Sequence, residues 1–135
     1  MHNRRQLQEE LSRDLTVAGA HVEIEGADKI FMNLLADTMK AKFANADFGT
    51  SELVKAMGMS STSLYKKITS LTGLSASQYI RLYRLQTAKK LMVSQGKNSG
   101  LSVSEVAYKV GFNDPKYFTR CFVKQYGIQP SSLLV

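Results

Sequence analysis

The strongest constraint on this chain is a pattern that occurs twice. "SELVKAMGM" at 51–59 aligns with "SEVAYKVGF" at 104–112, an offset of 53, and "LYKKITSLTG" at 64–73 aligns with "FTRCFVKQYG" at 118–127, an offset of 54. One residue is inserted in the turn between the two blocks. Each copy reads as a short helix, a glycine-containing turn and a second helix, the sequence shape of a helix-turn-helix. Two helical hairpins alone also fit a purely structural repeat, so the faces of the second helices decide what the repeat is for.

On a helix advancing about 100° per residue, Leu64, Ile68 and Leu71 fall together in the first copy. Phe118, Cys121 and Phe122 do so in the second, with Tyr126 beside them. These are the core candidates, and Cys121 reads as a small buried hydrophobe rather than a nucleophile. The opposite faces hold Thr62, Tyr65, Lys66 and Thr69 in one copy and Lys116, Thr119, Arg120 and Val123 in the other, matched position for position. Both faces offer hydrogen-bond donors and a cation, and neither offers a carboxylate, as a surface approaching phosphates and base edges requires. The stretch "GFNDPKYFTRCF" at 111–122 therefore divides, with Phe112, Phe118 and Phe122 inward and Lys116 and Arg120 outward. Tyr117 lies at the boundary, where packing or phosphate contact is favoured over base reading.

The rest of the chain also reads as helix. Leu7, Leu11 and Leu15 are spaced four apart in a charged segment, an amphipathic pattern, and "TVAGAHVEIEGAD" reads as a linker or short extended segment. From Asp28, taken as a cap, Ile30, Phe31, Leu34, Leu35, Met39 and Phe43 are expected to line one face. Thr50 or Ser51, then Ser60, Ser75, Ser102 and Asn113, are placed as the starts of successive helices. Gly58, Gly73, Gly111 and Gly127 are their stops, and Pro115 is tolerated in a first turn. Residues 1–27 are thus expected to be a partly flexible connector ahead of a domain at 28–135. That domain holds a first helix-turn-helix at about 51–73, a linker helix at about 75–94 and a second helix-turn-helix at about 103–127. The fold class is all-α, two homeodomain-like helix-turn-helix subdomains joined by a long central helix. Roughly 19 residues at ~1.5 Å each make that helix ~28 Å long, compatible with reading heads one turn of DNA apart, ~34 Å.

Charge is distributed unevenly. Residues 1–60 carry 7 basic and 9 acidic side chains, whereas residues 61–135 carry 11 basic and only 2 acidic ones, Glu105 and Asp114. A basic half points to a polyanionic partner, nucleic acid being the commonest, although a solvated lysine-rich face has the same composition. The single cysteine excludes an internal disulfide and suits a reducing cytoplasm. No run is apolar enough to span a membrane, so no membrane contact is expected. His2 and His21 lie far along the chain from Cys121, and no zinc-ligand spacing, nucleophile–base pair or phosphate-cradling glycine loop appears. Neither a metal nor another cofactor is expected, and catalysis is disfavoured. A helical module binding protein or RNA is the competing reading; it predicts little discrimination among DNA sequences.

With these residues laid out, the chain from 28 to about 133 resembles the DNA-binding domain of the AraC/XylS family of bacterial transcription regulators. The resemblance rests on "LVKAMGMSSTSLYKKITSLTGLSASQYIRLYRLQTAKKLM" and on "SVSEVAYKVGFNDPKYFTRCFVKQYGIQP". It implies two recognition helices entering successive major-groove segments of double-stranded DNA, with regulation, as an activator, in the bacterial cytoplasm. Carried over by position, the base-facing candidates are Thr62, Tyr65 and Lys66 in the first helix and Lys116, Thr119 and Arg120 in the second. Arg120 is the best candidate for a bidentate guanine contact. Phosphate contacts are expected near Ser51, Ser61, Ser104 and Asn113 at helix starts, where plain capping explains the same residues equally well, and at Tyr117. Arg81 and Arg84 match recurring positions, with pairing to carboxylates as their expected role. Ala76 stands where the family usually has proline, Gln129 replaces a frequent serine, and "SSLLV" replaces a polar, aromatic end. The family also implies RNA polymerase as a partner. "NRRQLQEELSRDLTVAGAHVEIEGAD" resembles the connector after a phosphoacceptor receiver domain, which implies an output domain of a hybrid two-component regulator.

Overall fold

Glycines and capping side chains divide the sequence into helices whose ends are set locally. The structure, a computed structural model, describes residues 26–95 and 99–134. The expected helix over Leu7, Leu11 and Leu15 and most of the linker lie outside the described residues. The described elements are α1 (Gly26–Lys42), α2 (Thr50–Met57), α3 (Ser61–Thr72), α4 (Ala76–Gln95), α5 (Val103–Lys109), α6 (Pro115–Tyr126) and a closing 3-10 turn (Pro130–Leu133). Among the described residues there is no strand, so the all-α expectation holds.

The helices fall into two compact units. Of the described residues, the first takes Gly26–Lys42 and Phe48–Tyr83; the second takes Phe43–Asp47, Arg84–Gln95 and residues 99–134. Within the long helix α4, Ala76–Tyr83 belong to one unit and Arg84–Gln95 to the other.

In the first unit, Leu35, Met39, Leu53, Leu64, Ile68 and Tyr79 are wholly inaccessible to solvent. Removing each aliphatic side chain from water is worth about 1.5–3 kcal/mol. The α1 face differs from expectation. Ile30 and Leu34 are 70% and 46% exposed, while Met32 and Ala36 are buried beside Phe31, Leu35 and Met39. Phe31 and Leu35 belong to both candidate stripes, and the neighbouring helices select the flank that carries Met32. Asp28 is no cap; it sits inside the first turn of α1 and pairs with Lys67 at 3.2 Å. Phe43 follows the end of α1 and packs on the core of the second unit.

In the second unit, Leu85, Ala88 and Met92 of α4 meet Val106, Ala107 and Val110, with Phe112, Phe118 and Phe122 completing the core. Cys121 is half-buried against that cluster. Arg84 braces the unit by donating from Nε to the Phe43 carbonyl and from Nη2 to the Asn45 carbonyl, both at 3.0 Å. Both of these acceptors are main-chain oxygens, and burial holds the Arg84 pKa below the usual arginine value.

Candidate nucleic-acid interface

The second helix of each repeat copy begins at a fixed corner. For α3 the corner is Gly58, left-handed at φ 66°, followed by Ser60, whose hydroxyl accepts from the Ser63 amide at 3.2 Å. For α6 it is Asp114, whose Oδ1 accepts from the Lys116 amide at 3.0 Å, with Pro115 in the first helical position. Asp114 thus replaces Asn113 as the cap, because a proline at the helix start makes its predecessor the capping residue. The short helices are capped by their own devices. Glu52 accepts from the Gly49 amide at 2.9 Å, so neither Thr50 nor Ser51 is the cap. That bond holds the Glu52 carboxyl below its ordinary pKa. Ser102 and Glu105 exchange reciprocal bonds of 3.1 Å at the start of α5.

The two copies orient their second helices alike within their own units. Leu64 and Phe118, 54 positions apart in sequence, both have no solvent exposure, and so do Ile68 and Phe122. With those side chains anchored inward, Thr62, Tyr65 and Lys66 are exposed on α3, while on α6 Lys116 and Arg120 are exposed and Thr119 is half-exposed. All six candidate base readers therefore lie on the solvent side of helices whose opposite side is core. The α3 face is continued by Thr69, whose hydroxyl donates to the Leu74 carbonyl at 3.0 Å and ties the helix end to the turn that precedes α4. Tyr65, Thr69, Thr50, Ser75 and Ser77 line a shallow cleft of about 300 Å³.

Ser51, Ser61, Ser104 and Asn113 are all exposed, and none of them is the capping residue of its helix. Tyr117 is 40% exposed, its ring centroid 6.1 Å from that of Phe112 on one side and 5.6 Å from the Arg120 guanidinium carbon on the other.

Two cation placements carry no periodic signal in the sequence. Lys67 is held on α3 by Asp28 and lies 5.4 Å over the Phe31 ring, which ties α3 to α1. Lys89 lies 4.4 Å over the ring of Tyr126. Each joins residues more than thirty positions apart, beyond the reach of any helical repeat. Among the described residues no cluster of histidine, cysteine, aspartate or glutamate is arranged to hold a metal ion. No described helix is long and apolar enough to cross a membrane.

A helix-turn-helix domain family matches residues 53–134. The chain belongs to that family, in its AraC/XylS form, a class of transcription regulators rather than of enzymes. Among curated relatives, a protein named Histidine kinase P4 from Formosa agariphila is 27% identical over 97% of this chain and 9% of its own length. Transcriptional activator RhrA of Rhizobium meliloti is 35% identical over 70% of this chain and 29% of its own length. The chain thus spans less than a third of either relative. Among solved structures, the C-terminal domain of the two-component response regulator yesN from Fusobacterium nucleatum superposes with a TM-score of 0.68 at 26% identity. It covers 77% of this chain and 97% of that one. The DNA-binding domain of the global transcriptional factor AdpA, solved with a target DNA, gives 0.63 at 26% identity over 73% of this chain and 84% of that one.

Proposed function

We propose that this chain is the output domain of a bacterial transcription regulator that binds double-stranded DNA by sequence. One observation carries the reading: the repeated second helices bury matched apolar residues and expose matched, carboxylate-free faces. In α3, Thr62, Tyr65 and Lys66 read bases; in α6, Lys116, Thr119 and Arg120 do so, on successive major-groove segments. Arg120 makes a bidentate contact to guanine. The exposed Ser51, Ser61, Ser104 and Asn113, with the Tyr117 hydroxyl, contact phosphates. The eleven basic against two acidic residues after position 60 supply the attraction to the polyanion. The target-DNA complex of the AdpA domain supports the choice of DNA over another acidic partner.

The regulator acts in the cytoplasm, as an activator that contacts RNA polymerase, and it is governed by a receiver domain elsewhere in the full-length protein. The named activator among its relatives supports the direction of control. The histidine kinase and the response-regulator domain support the two-component link. Selection from a randomised duplex pool, followed by a salt titration on the enriched site, tests the DNA reading. The expected result is one enriched motif whose affinity falls steeply with salt, at a logarithmic slope near −0.9 per phosphate neutralised. Enrichment of no motif, or a flat salt response, overturns it.

A further inference from the structure

Arg120 stands on a ring that is itself anchored in the core. Its guanidinium carbon lies 5.6 Å from the Tyr117 ring centroid, one helical turn earlier on α6. The Tyr117 ring packs on Phe112 at 6.1 Å, Phe112 meets Phe118 edge-on at 5.1 Å, and Phe118 meets Phe122 at 5.7 Å. Phe118 and Phe122 have no solvent exposure. An exposed arginine ordinarily samples many rotamers, and a planar fork recognises a base edge only when its plane and direction are right. A cation over the face of a tyrosine is attracted by the ring quadrupole, and a ring packed on buried neighbours gives that attraction a preferred direction.

The first copy has no such arrangement. The positions equivalent to Tyr117 and Arg120, 54 residues earlier, are Ser63 and Lys66. A serine offers no face, and a lysine ammonium is a point charge without a plane to orient. A ring-bearing residue one turn before the candidate base-reading cation is therefore particular to the second reading helix; the ring-bound cation of the first, Lys67, is not a candidate reader.

We propose that Tyr117 is a positioning residue for base recognition: its ring, apart from any phosphate contact by its hydroxyl, pre-sets the Arg120 guanidinium and sharpens the preference at one base pair. The proposal rests on the DNA-reading function above and deepens it by separating ring from hydroxyl. A cation over an exposed ring contributes enough to change discrimination about two- to five-fold, and no more is expected.

The test compares the wild-type chain with Tyr117→Phe, Tyr117→Leu and Arg120→Ala, reading base preference position by position from a randomised duplex pool. Side-chain NMR of the DNA-free chains is recorded in parallel. In the wild type and Tyr117→Phe, the Arg120 methylene protons should show upfield ring-current shifts, and both chains should prefer the same base pair. Tyr117→Leu should lose those shifts and about two- to five-fold of the preference, at the position where Arg120→Ala loses it, with the rest of the motif intact. Tyr117→Met replaces the leucine variant if the latter unfolds. Undiminished preference in the ring-less variant overturns the proposal, and so does loss of preference in Tyr117→Phe, which would assign the effect to the hydroxyl. Wild-type chain that enriches no motif overturns the DNA-reading function itself, and the role of Tyr117 with it; absent ring-current shifts in a chain that does enrich a motif overturn only the role of Tyr117.

Discussion

Arg84 Nε is hydrogen-bonded to the carbonyl oxygen of Phe43 at 3.0 Å, and the α-carbon of Gly111 lies against that bond. A β-carbon built on Gly111 would run into the Phe43 oxygen and come within 2.7 Å of Arg84 Nε. The backbone there has φ +96°, which side chains rarely adopt. The glycine that ends the α5 corner is thus also the surface on which the α4 arginine and the Phe43 carbonyl meet. Gly111→Ala should destabilise the second unit by at least about 2–3 kcal/mol, from backbone strain together with displacement of a main-chain acceptor. Denaturant unfolding followed by circular dichroism measures this, and a loss under 1 kcal/mol would mean that the contact relaxes freely.

Tyr79 is a buried phenol whose hydroxyl meets no hydrogen-bond partner among the described residues. A buried polar group without a partner is costly, whereas its apolar isostere is not. Tyr79→Phe should therefore leave the first unit as stable as before or raise its stability by about 1 kcal/mol, read as an unchanged or higher denaturation midpoint. A drop of similar size would place a bound water on that hydroxyl.

Alkaline pH should act through the same chemistry in the second unit. Burial pushes the Tyr126 hydroxyl from its ordinary value near 10 up to about 12. Below pH 10 the phenol is neutral folded and unfolded, so the native contact is fully retained. Between pH 10 and 12 the unfolded chain ionises first, and stability is lost as pH rises through the folded value. Tyr126→Phe should flatten the part of this decline due to the phenol, visible as a smaller fall in unfolding free energy between those two pH values. An equal decline in the variant would assign it to other groups.

How much of this was legible beforehand depended on whether the determinant was local. The glycine stops at Gly58, Gly73 and Gly127 have φ of 66°, 75° and 74° and end their helices as expected, because a left-handed terminus is a property of one residue. The inward faces of α3 and α6 were legible because Leu64, Ile68, Phe118 and Phe122 leave no competing stripe. On α1 two stripes share Phe31 and Leu35, and only the packed neighbours decide between them. Asp114 was legible in principle from Pro115, although Asn113 has equal capping chemistry. The carbonyl partners of Arg84 were not, since every residue carries a carbonyl and nothing in its side chain announces the role. On the interface, the exposure of the six candidate readers followed from the core positions, while the restraint of Lys67 by Asp28 and Phe31 required the tertiary fold.

Core and interface roles on α6 should separate cleanly by mutation. Phe118→Ala removes a side chain with no exposure from the centre of the second core. A cost of about 3–5 kcal/mol is expected, enough to unfold that unit, with far-ultraviolet circular dichroism losing helix signal at ambient temperature. A variant that stays fully folded yet fails to bind a duplex would show that the aromatic side of α6 is the working face.

Arg120→Ala should do the reverse. The side chain is exposed and its guanidinium rests on the Tyr117 ring, so helix content and melting should change little. Its loss should weaken binding to the preferred duplex by about 1–3 kcal/mol and relax preference at one base pair. A phosphate contact at the same place would behave differently, lowering affinity for every sequence equally and reducing the salt slope by about one unit. Titrating the variant against the preferred site and a set of single-base changes, at two salt concentrations, distinguishes the two. Uniform loss across sequences would remove Arg120 from the base readers and leave α6 to specify sequence through Lys116 and Thr119.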